Sequence, residues 1–178
     1  EWARTKNCKV VYAGSSSHHN GMYENPYTFS KEIGEQLCEM YYKVYGLETR
    51  ICRFYNVYGD SQLLEGEYSA VVGIFLEQYK HNKPLTITGD GEQRRDFTHV
   101  DDIVDGMFLS ATKEFGTYEL GSGVNYSINE LADMFGKDYP KEYIDERTGE
   151  ARETLCEKPD LLLIKNNLED YIKGEISE

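Results

Sequence analysis

Tyr27 and Lys31 stand four residues apart, and a run of serines, Ser15-Ser16-Ser17, lies a short loop upstream. On a helix, positions i and i+4 share a face, so the phenol and the ammonium project together. A phenol with a pKa of about 10 is a poor base at neutral pH. A neighbouring ammonium favours the phenolate and draws that value down. A serine hydroxyl at the end of an adjacent strand can share the proton, which completes a proton-transfer constellation. The same Tyr-x-x-x-Lys also suits an ordinary amphipathic helix with a half-buried tyrosine and a surface lysine. The elements around it decide between the two.

Asn25 is a good N-cap, and Pro26 suits the first helical position, where a missing N–H costs nothing. The predicted helix repeats apolar residues at Phe29, Ile33, Leu37, Met40, Tyr41 and Val44 and stops at Gly46. Its outer face is expected to carry Glu32, Glu39 and Lys43 beside Met40 and Tyr41. Before it, 9–13 is a short apolar run, as expected of a buried parallel strand, and the serines follow where that strand ends. After it, 48–54 carries Ile51, Cys52 and Phe54. Strand, helix and strand with short loops make a βαβ unit, so the sheet is parallel. In open α/β sheets the carboxyl ends of the strands are the ligand side, which is where the serines fall.

Further along, 60–68 is a Gly- and acid-containing loop, 70–79 a helix, 85–88 a strand and 89–92 a tight turn. Arg94-Arg95 between acidic residues suggests an anchored cation, with a surface ion-pair loop as the alternative. A helix over 103–112 and a strand over 117–120 follow. Ser127 and Glu130 form a capping box that opens a helix through Phe135. A short apolar helix is expected from Pro159 to about Ile164. Residues 1–7 look like the tail of a helix.

The chain has 178 residues, enough for one domain with a real core. It carries 19 basic and 32 acidic residues, a net charge of −13. That argues against non-specific binding to nucleic acid or to anionic membranes, though not against a small anion held by a few arginines. Four scattered cysteines lack metal-ligand spacing, and neither a signal peptide nor a long apolar run is present, so a reduced, soluble, cytoplasmic protein is expected. His18 and His19 read as a polar loop tip with no third ligand spaced to join them, and no metal site is expected.

Five stretches, 10–15, 26–31, 53–59, 89–102 and 149–154, carry a family resemblance. In that order they resemble the C-terminal part of an extended short-chain dehydrogenase/reductase of the nucleotide-sugar epimerase/dehydratase kind. The resemblance implies an α/β fold: the C-terminal part of a doubly wound, Rossmann-like parallel sheet plus a small α/β substrate-binding lobe. Residues 1–59 would belong to the NAD-binding domain and 60–178 mainly to the lobe, with 85–115 returning to the sheet. It further implies that Ser15, or Ser16 one step on, holds the reacting sugar hydroxyl. Tyr27 would be the acid/base, and Lys31 would hold the nicotinamide ribose and tune it. The segment at Tyr55 would lie by the nicotinamide. Asn56, Arg95 and Arg152 would contact the substrate diphosphate, while Thr86 and Thr88 would lie near the nucleotide base. The cofactor implied is NAD, and the substrate a nucleotide-diphosphate sugar.

Three departures shape the expectation. These residues contain no Gly-x-x-Gly-x-x-Gly turn, which in such folds holds the NAD pyrophosphate. Ser17 to Gly21 replaces the family's usual Tyr-Gly, and the link to Tyr27 is short. The end after Pro159 looks shortened. Epimerisation through a keto-sugar is favoured over 4,6-dehydration, because Ser16 and Ser17 stand where dehydratases of the family place an Asp-Glu pair. A truncated member, or a non-catalytic fragment or half-protein needing an N-terminal partner, stays open, and this chain alone is expected to be inactive. The resemblance also implies a homodimer for a full-length enzyme, with the Tyr-Lys helix in the interface, but not for this piece.

Overall fold

The computed structural model describes residues 1–177 except 65, 67, 68, 147, 148, 150, 162 and 163. Parts of the 60–68 loop, the 149–154 motif and the expected 159–164 helix therefore lie outside the described residues. Those described in the last of these, 159–161 and 164, are not helical.

The βαβ unit forms as its sequence dictates. A short helix α1 (Trp2–Lys6) leads into β1 (Val10–Ser15). Helix α2 (Pro26–Tyr45) starts with Asn25 as N-cap and Pro26 in its first turn, and ends on Gly46 in the left-handed conformation at φ 66°. Strand β2 (Thr49–Phe54) then pairs with β1 in parallel, Val10 opposite Thr49. The remaining elements are β3 (Val57–Tyr58), α3 (Val71–Lys80), β4 (Leu85–Thr88), β5 (Arg94–Asp96), β6 (Thr98–His99), α4 (Val100–Ser110), β7 (Gly116–Leu120), β8 (Asn125–Ser127), α5 (Ile128–Asp133), β9 (Lys141–Ile144) and α6 (Leu168–Ser177).

Strands β1, β2 and β7 form a parallel sheet in that order. Neighbouring residues of β2 point to opposite faces. Arg53 meets Glu35 of α2, and Cys52 donates to Ser110 of α4. Helices thus cover both faces, as in a doubly wound α/β fold. A small core of Cys52, Ile103 and Leu120 lies on the α4 side. A larger core gathers Phe75, Leu85, Ile87, Phe97, Leu131 and Ile172, among others, in the second half of the chain.

Three expectations need correction. The strand that returns to the large sheet is β7, just after the expected 85–115; β4 pairs instead with β9, parallel, Leu85 opposite Lys141. The C-terminal helix lies at 168–177, where Leu168 and Ile172 are buried one turn apart. Most unexpectedly, α2 is turned about its axis. Its buried residues are Thr28, Glu32, Glu35 and Cys38, while Phe29, Ile33, Leu37, Met40 and Val44 are exposed. Glu32 is therefore on the inner face. The reason is that β2 presents Arg53 to this helix, so carboxylates rather than methyl groups complement the sheet.

Close packing joins the residue that follows β7 to Tyr55, just after β2, and to Cys156. A Cβ on Gly121 would stand 2.3 Å from the Cys156 Cβ and 2.8 Å from the Tyr55 ring, both residues being buried. Gly121→Ala is therefore expected to lower unfolding stability by about 1–3 kcal/mol, as overpacking does. Urea denaturation checks this, and an unchanged midpoint would show that these segments move apart freely.

Candidate functional site

The apolar run of β1 ends at two buried serines, Ser15 and Ser16. Ser15 Oγ accepts from the Ser17 N–H at 3.2 Å and from Ser17 Oγ at 3.0 Å, which caps the short 3-10 turn Ser16–Asn20. With its oxygen engaged as acceptor, the Ser15 O–H is left to donate. On α2, the Asn25 side chain accepts from the Thr28 N–H at 2.9 Å and fixes the first turn. Tyr27 stands in that turn and is 56% exposed. Lys31 reaches back to β1, where Nζ donates to the Ala13 carbonyl at 2.9 Å. Its ammonium lies 5.7 Å from the Tyr27 ring centroid.

These residues line one cavity of about 440 Å³, together with Tyr55 and Asn56. A second cavity of about 240 Å³ is lined by Thr86, Thr88, Gln93 and Arg95, and shares Asn56 and Val57 with the first. Ligand pockets commonly span about 300–1,000 Å³, so the smaller cavity suits one end of an elongated ligand whose other end lies in the larger. A third space of about 440 Å³ adjoins the first through Ser16, Asn20, Tyr55 and Thr154.

Of the residues expected from sequence, Ser15, Ser16, Tyr27, Lys31 and Tyr55 thus meet in the first cavity, Thr86, Thr88 and Arg95 in the second, and Asn56 lies between them. Arg152 is not brought to either. It grips Asp90 with two hydrogen bonds of 2.8 and 2.9 Å, and that guanidinium holds the Asp90 carboxyl down at about 2. Asn56 is also held within the fold: Nδ2 donates to the Asp96 carbonyl at 2.9 Å and to Thr154 Oγ1 at 3.0 Å. Its amide braces the wall between the cavities. Arg95 is buried, and its Nη1 donates to the Arg94 carbonyl at 2.9 Å.

Tyr55 stays a protonated phenol and Cys156 a protonated thiol at neutral pH. Burial, and then the Glu119 carboxylate, raise the Tyr55 phenol well above its ordinary range, and that phenol donates to Glu119 at 3.0 Å. Burial, and then Asp96, push the Cys156 thiol up to about 11.

Two groups near the site went unread in the sequence. Asp96 is fully buried and accepts from the N–H groups of Ser122, Gly123 and Cys156 at 2.8, 3.0 and 3.0 Å. It ties β5, which carries Arg95, to two separate loops. The other group surrounds the histidines. His18 bonds Glu32 and lies 3.9 Å from Glu35, and these three side chains could together hold a metal ion. His18 is thus not the isolated loop tip expected. Glu35 already pairs with Arg53 at 2.7 Å, Arg53 with Glu119 at 3.1 Å, and Glu119 with His19 at 3.2 Å. The helical spacing of Thr28, Glu32 and Glu35 was the available signal for a polar inner face.

Among the described residues, no helix is long and apolar enough to cross a membrane. The family model for the NAD dependent epimerase/dehydratase family matches residues 1–121. A UDP-glucuronate 4-epimerase of Thermodesulfobacterium geofontis is 32% identical over 160 residues, covering 83% of this chain and 48% of the relative. UDP-glucuronic acid decarboxylase 1 of Arabidopsis thaliana is 31% identical over 144 residues, covering 80% and 33%. The crystal structure of a UDP-glucose 4-epimerase from Thermotoga maritima with UDP-glucose superposes with a TM-score of 0.85 at 26% identity, covering 98% of this chain and 64% of that one. The chain thus spans less than half the length of these two curated relatives. With matched segments that include the strand-end serines, the Tyr-Lys helix and the second sheet strand, the chain belongs to the NAD-dependent epimerase/dehydratase family.

Proposed function

We propose that this chain carries the catalytic helix and the substrate cavities of an NAD-dependent epimerase acting on a nucleotide-diphosphate sugar, with uridine as the nucleoside. The observation that carries this reading is that Ser15, Tyr27 and Lys31 line one cavity, which shares a wall at Asn56 with a second that contains Arg95. The relatives whose names specify UDP-sugars support the choice of nucleotide. In this reading residues 1–59 serve the cofactor side and 60–178 mainly the substrate, with β7 returning to the first part.

The sugar lies in the larger cavity. Tyr27, entering the step as the phenolate, takes the proton of the reacting hydroxyl and becomes the phenol, and Ser15 shares that hydrogen bond through its O–H. The Lys31 ammonium stabilises negative charge on the phenol oxygen as the proton passes. NAD, when bound, supplies the acceptor and later the donor of hydride. Lys31 suits its ribose, since one of three ammonium donors goes to Ala13 and the others can reach hydroxyls. Once the keto-sugar has turned over, Tyr27 returns the proton to the re-formed hydroxyl. Arg95 holds the diphosphate, because a guanidinium fork matches phosphate oxygens. The exposed apolar face of α2 meets a second copy in the full-length enzyme.

Three outcomes test this. In a polypeptide extended to the length of its relatives, Tyr27→Phe is expected to abolish turnover while leaving UDP-sugar affinity nearly intact; comparable turnover would remove Tyr27 from the role. Arg95→Ala is expected to weaken UDP-glucose binding by about 1.5–3 kcal/mol, the worth of a charge-assisted contact. Unchanged affinity by calorimetry would make Arg95 structural. The 178-residue polypeptide by itself is expected to show no measurable NAD binding, because it lacks the Gly-rich turn that holds the pyrophosphate. A micromolar NAD affinity in titration would contradict this.

A further inference from the structure

Two buried carboxylates share the inner face of α2. Glu32 and Glu35 lie three positions apart, which makes them neighbours on a helix, and they are 8% and 5% exposed. Like charges so placed repel, and a buried carboxylate without a cation is costly. Glu35 has its cation in Arg53, which donates to Oε2 at 2.7 and 3.1 Å and pairs with Glu119 as well. Among the described residues, Glu32 has His18 as its one hydrogen-bond or ion-pair partner. The ion-paired cluster of Glu32, Glu35 and Glu119 thus contains one permanent cation among the described residues, Arg53. His18 and His19 add positive charge only when protonated.

The atoms that meet at this deficit are those of a metal site. His18 offers a ring nitrogen, Glu32 and Glu35 one carboxylate oxygen each, and these ligand atoms all lie within 4.8 Å of one another. A nitrogen and two oxygens without thiolate suit Zn²⁺ and its first-row neighbours better than Ca²⁺ or Mg²⁺, which prefer oxygen alone. Glu35 can ligate without releasing Arg53, because a carboxylate offers about four lone-pair positions. Arg53 then orients it from behind, as outer-shell partners of ligating carboxylates do. The His18 side chain is 37% exposed, which leaves the cluster a way in for an ion and for a completing water. His18 comes from 17–21, the segment that departs from the family's usual Tyr-Gly, so the cluster is built on this chain's own loop.

We propose that His18, Glu32 and Glu35 form a structural site for a divalent first-row transition ion, Zn²⁺ foremost. The ion pins the 3-10 turn Ser16–Asn20 to α2, one residue from Lys31, and supplies the positive charge that Glu32 lacks. None of its three ligands lines any of the three cavities described above. The ion therefore positions the turn and the helix without touching a substrate, and the inference does not rest on the nucleotide-sugar reading.

Calorimetry on the 178-residue polypeptide, stripped with EDTA and titrated with zinc chloride, tests the assignment. One Zn²⁺ per chain is expected to bind with a micromolar or lower Kd. At about 100 times that Kd it is expected to raise the melting temperature by about 5–10 °C. His18→Gln and Glu32→Gln, the second of which keeps the side chain's shape, are each expected to weaken Zn²⁺ by more than the roughly tenfold that loss of an outer-shell partner costs. His19→Gln is expected to leave it unchanged, and a large excess of Mg²⁺ not to displace it. The absorption spectrum of Co²⁺ on the parent chain is a check that needs no variant: nitrogen and oxygen ligation is expected, and a thiolate charge-transfer band would overturn the site. If the parent chain binds no Zn²⁺, an imidazolium–carboxylate pair suffices at Glu32 and the inference falls. It falls equally if binding survives both His18→Gln and Glu32→Gln, which places the ion elsewhere, or if Mg²⁺ displaces Zn²⁺, the mark of a diffuse acidic surface.

Discussion

The helix that bears Tyr27 and Lys31 is held to its sheet by ions, and the rest of the candidate site depends on that attachment. Glu35 and Arg53 form a side-on pair with contacts of 2.7 to 3.2 Å, and Arg53 continues to Glu119 on β7. Both partners of the first pair are largely buried. Removing one partner of such a buried pair commonly costs about 3–5 kcal/mol, since the other charge is stranded. Here the pair also sets an angle. It fixes the rotation of α2 about its own axis, and with it the direction in which Tyr27 and Lys31 leave the helix. Gly34 serves the same contact, because a Cβ there would stand 2.0 Å from the Tyr12 hydroxyl. Helix and strand approach closely enough for Lys31 to reach the Ala13 carbonyl.

A second anchor works in the other half of the site. Asp96 draws three backbone N–H groups and the Ser122 hydroxyl around one buried carboxylate. Carboxylates hydrogen-bonded this way need no counter-cation, because oriented N–H dipoles supply the positive potential. The consequence is positional. Asn56 donates to the carbonyl of this same residue and to Thr154, so the wall between the two cavities hangs from Asp96. Arg95 precedes Asp96 in β5 and enters the smaller cavity from there.

Local patterns carried much of this in the sequence. Asn25-Pro26, Gly46 and the Ser127–Glu130 capping box each have a mechanism confined to a few residues, and each helix end fell where those residues placed it. The strand-helix-strand order sufficed to make the sheet parallel. Partners far apart in the chain were harder. Nothing near 85–88 indicates that 141–144 will pair with it. The family resemblance of the 149–154 motif assigned Arg152 to the diphosphate, whereas in the structure its fork is matched by Asp90, 62 positions earlier. The short strands β3, β5, β6 and β8 hold only two or three residues each, too few to show a period.

The rotation of α2 shows why periodicity alone misled. Apolar residues at 29, 33, 37, 40 and 44 form a helical stripe as regular as the polar set at 28, 32 and 35, and a helix has room for both. Which set faces inward depends on what the sheet offers, and a buried Arg53 selects carboxylates. The apolar stripe is then exposed on the helix that bears Tyr27, with Phe29 only two residues from the phenol. Large contiguous apolar patches on a protein's exterior mark contact surfaces. A cover over this patch would bear directly on the first turn of α2, the turn that places Tyr27.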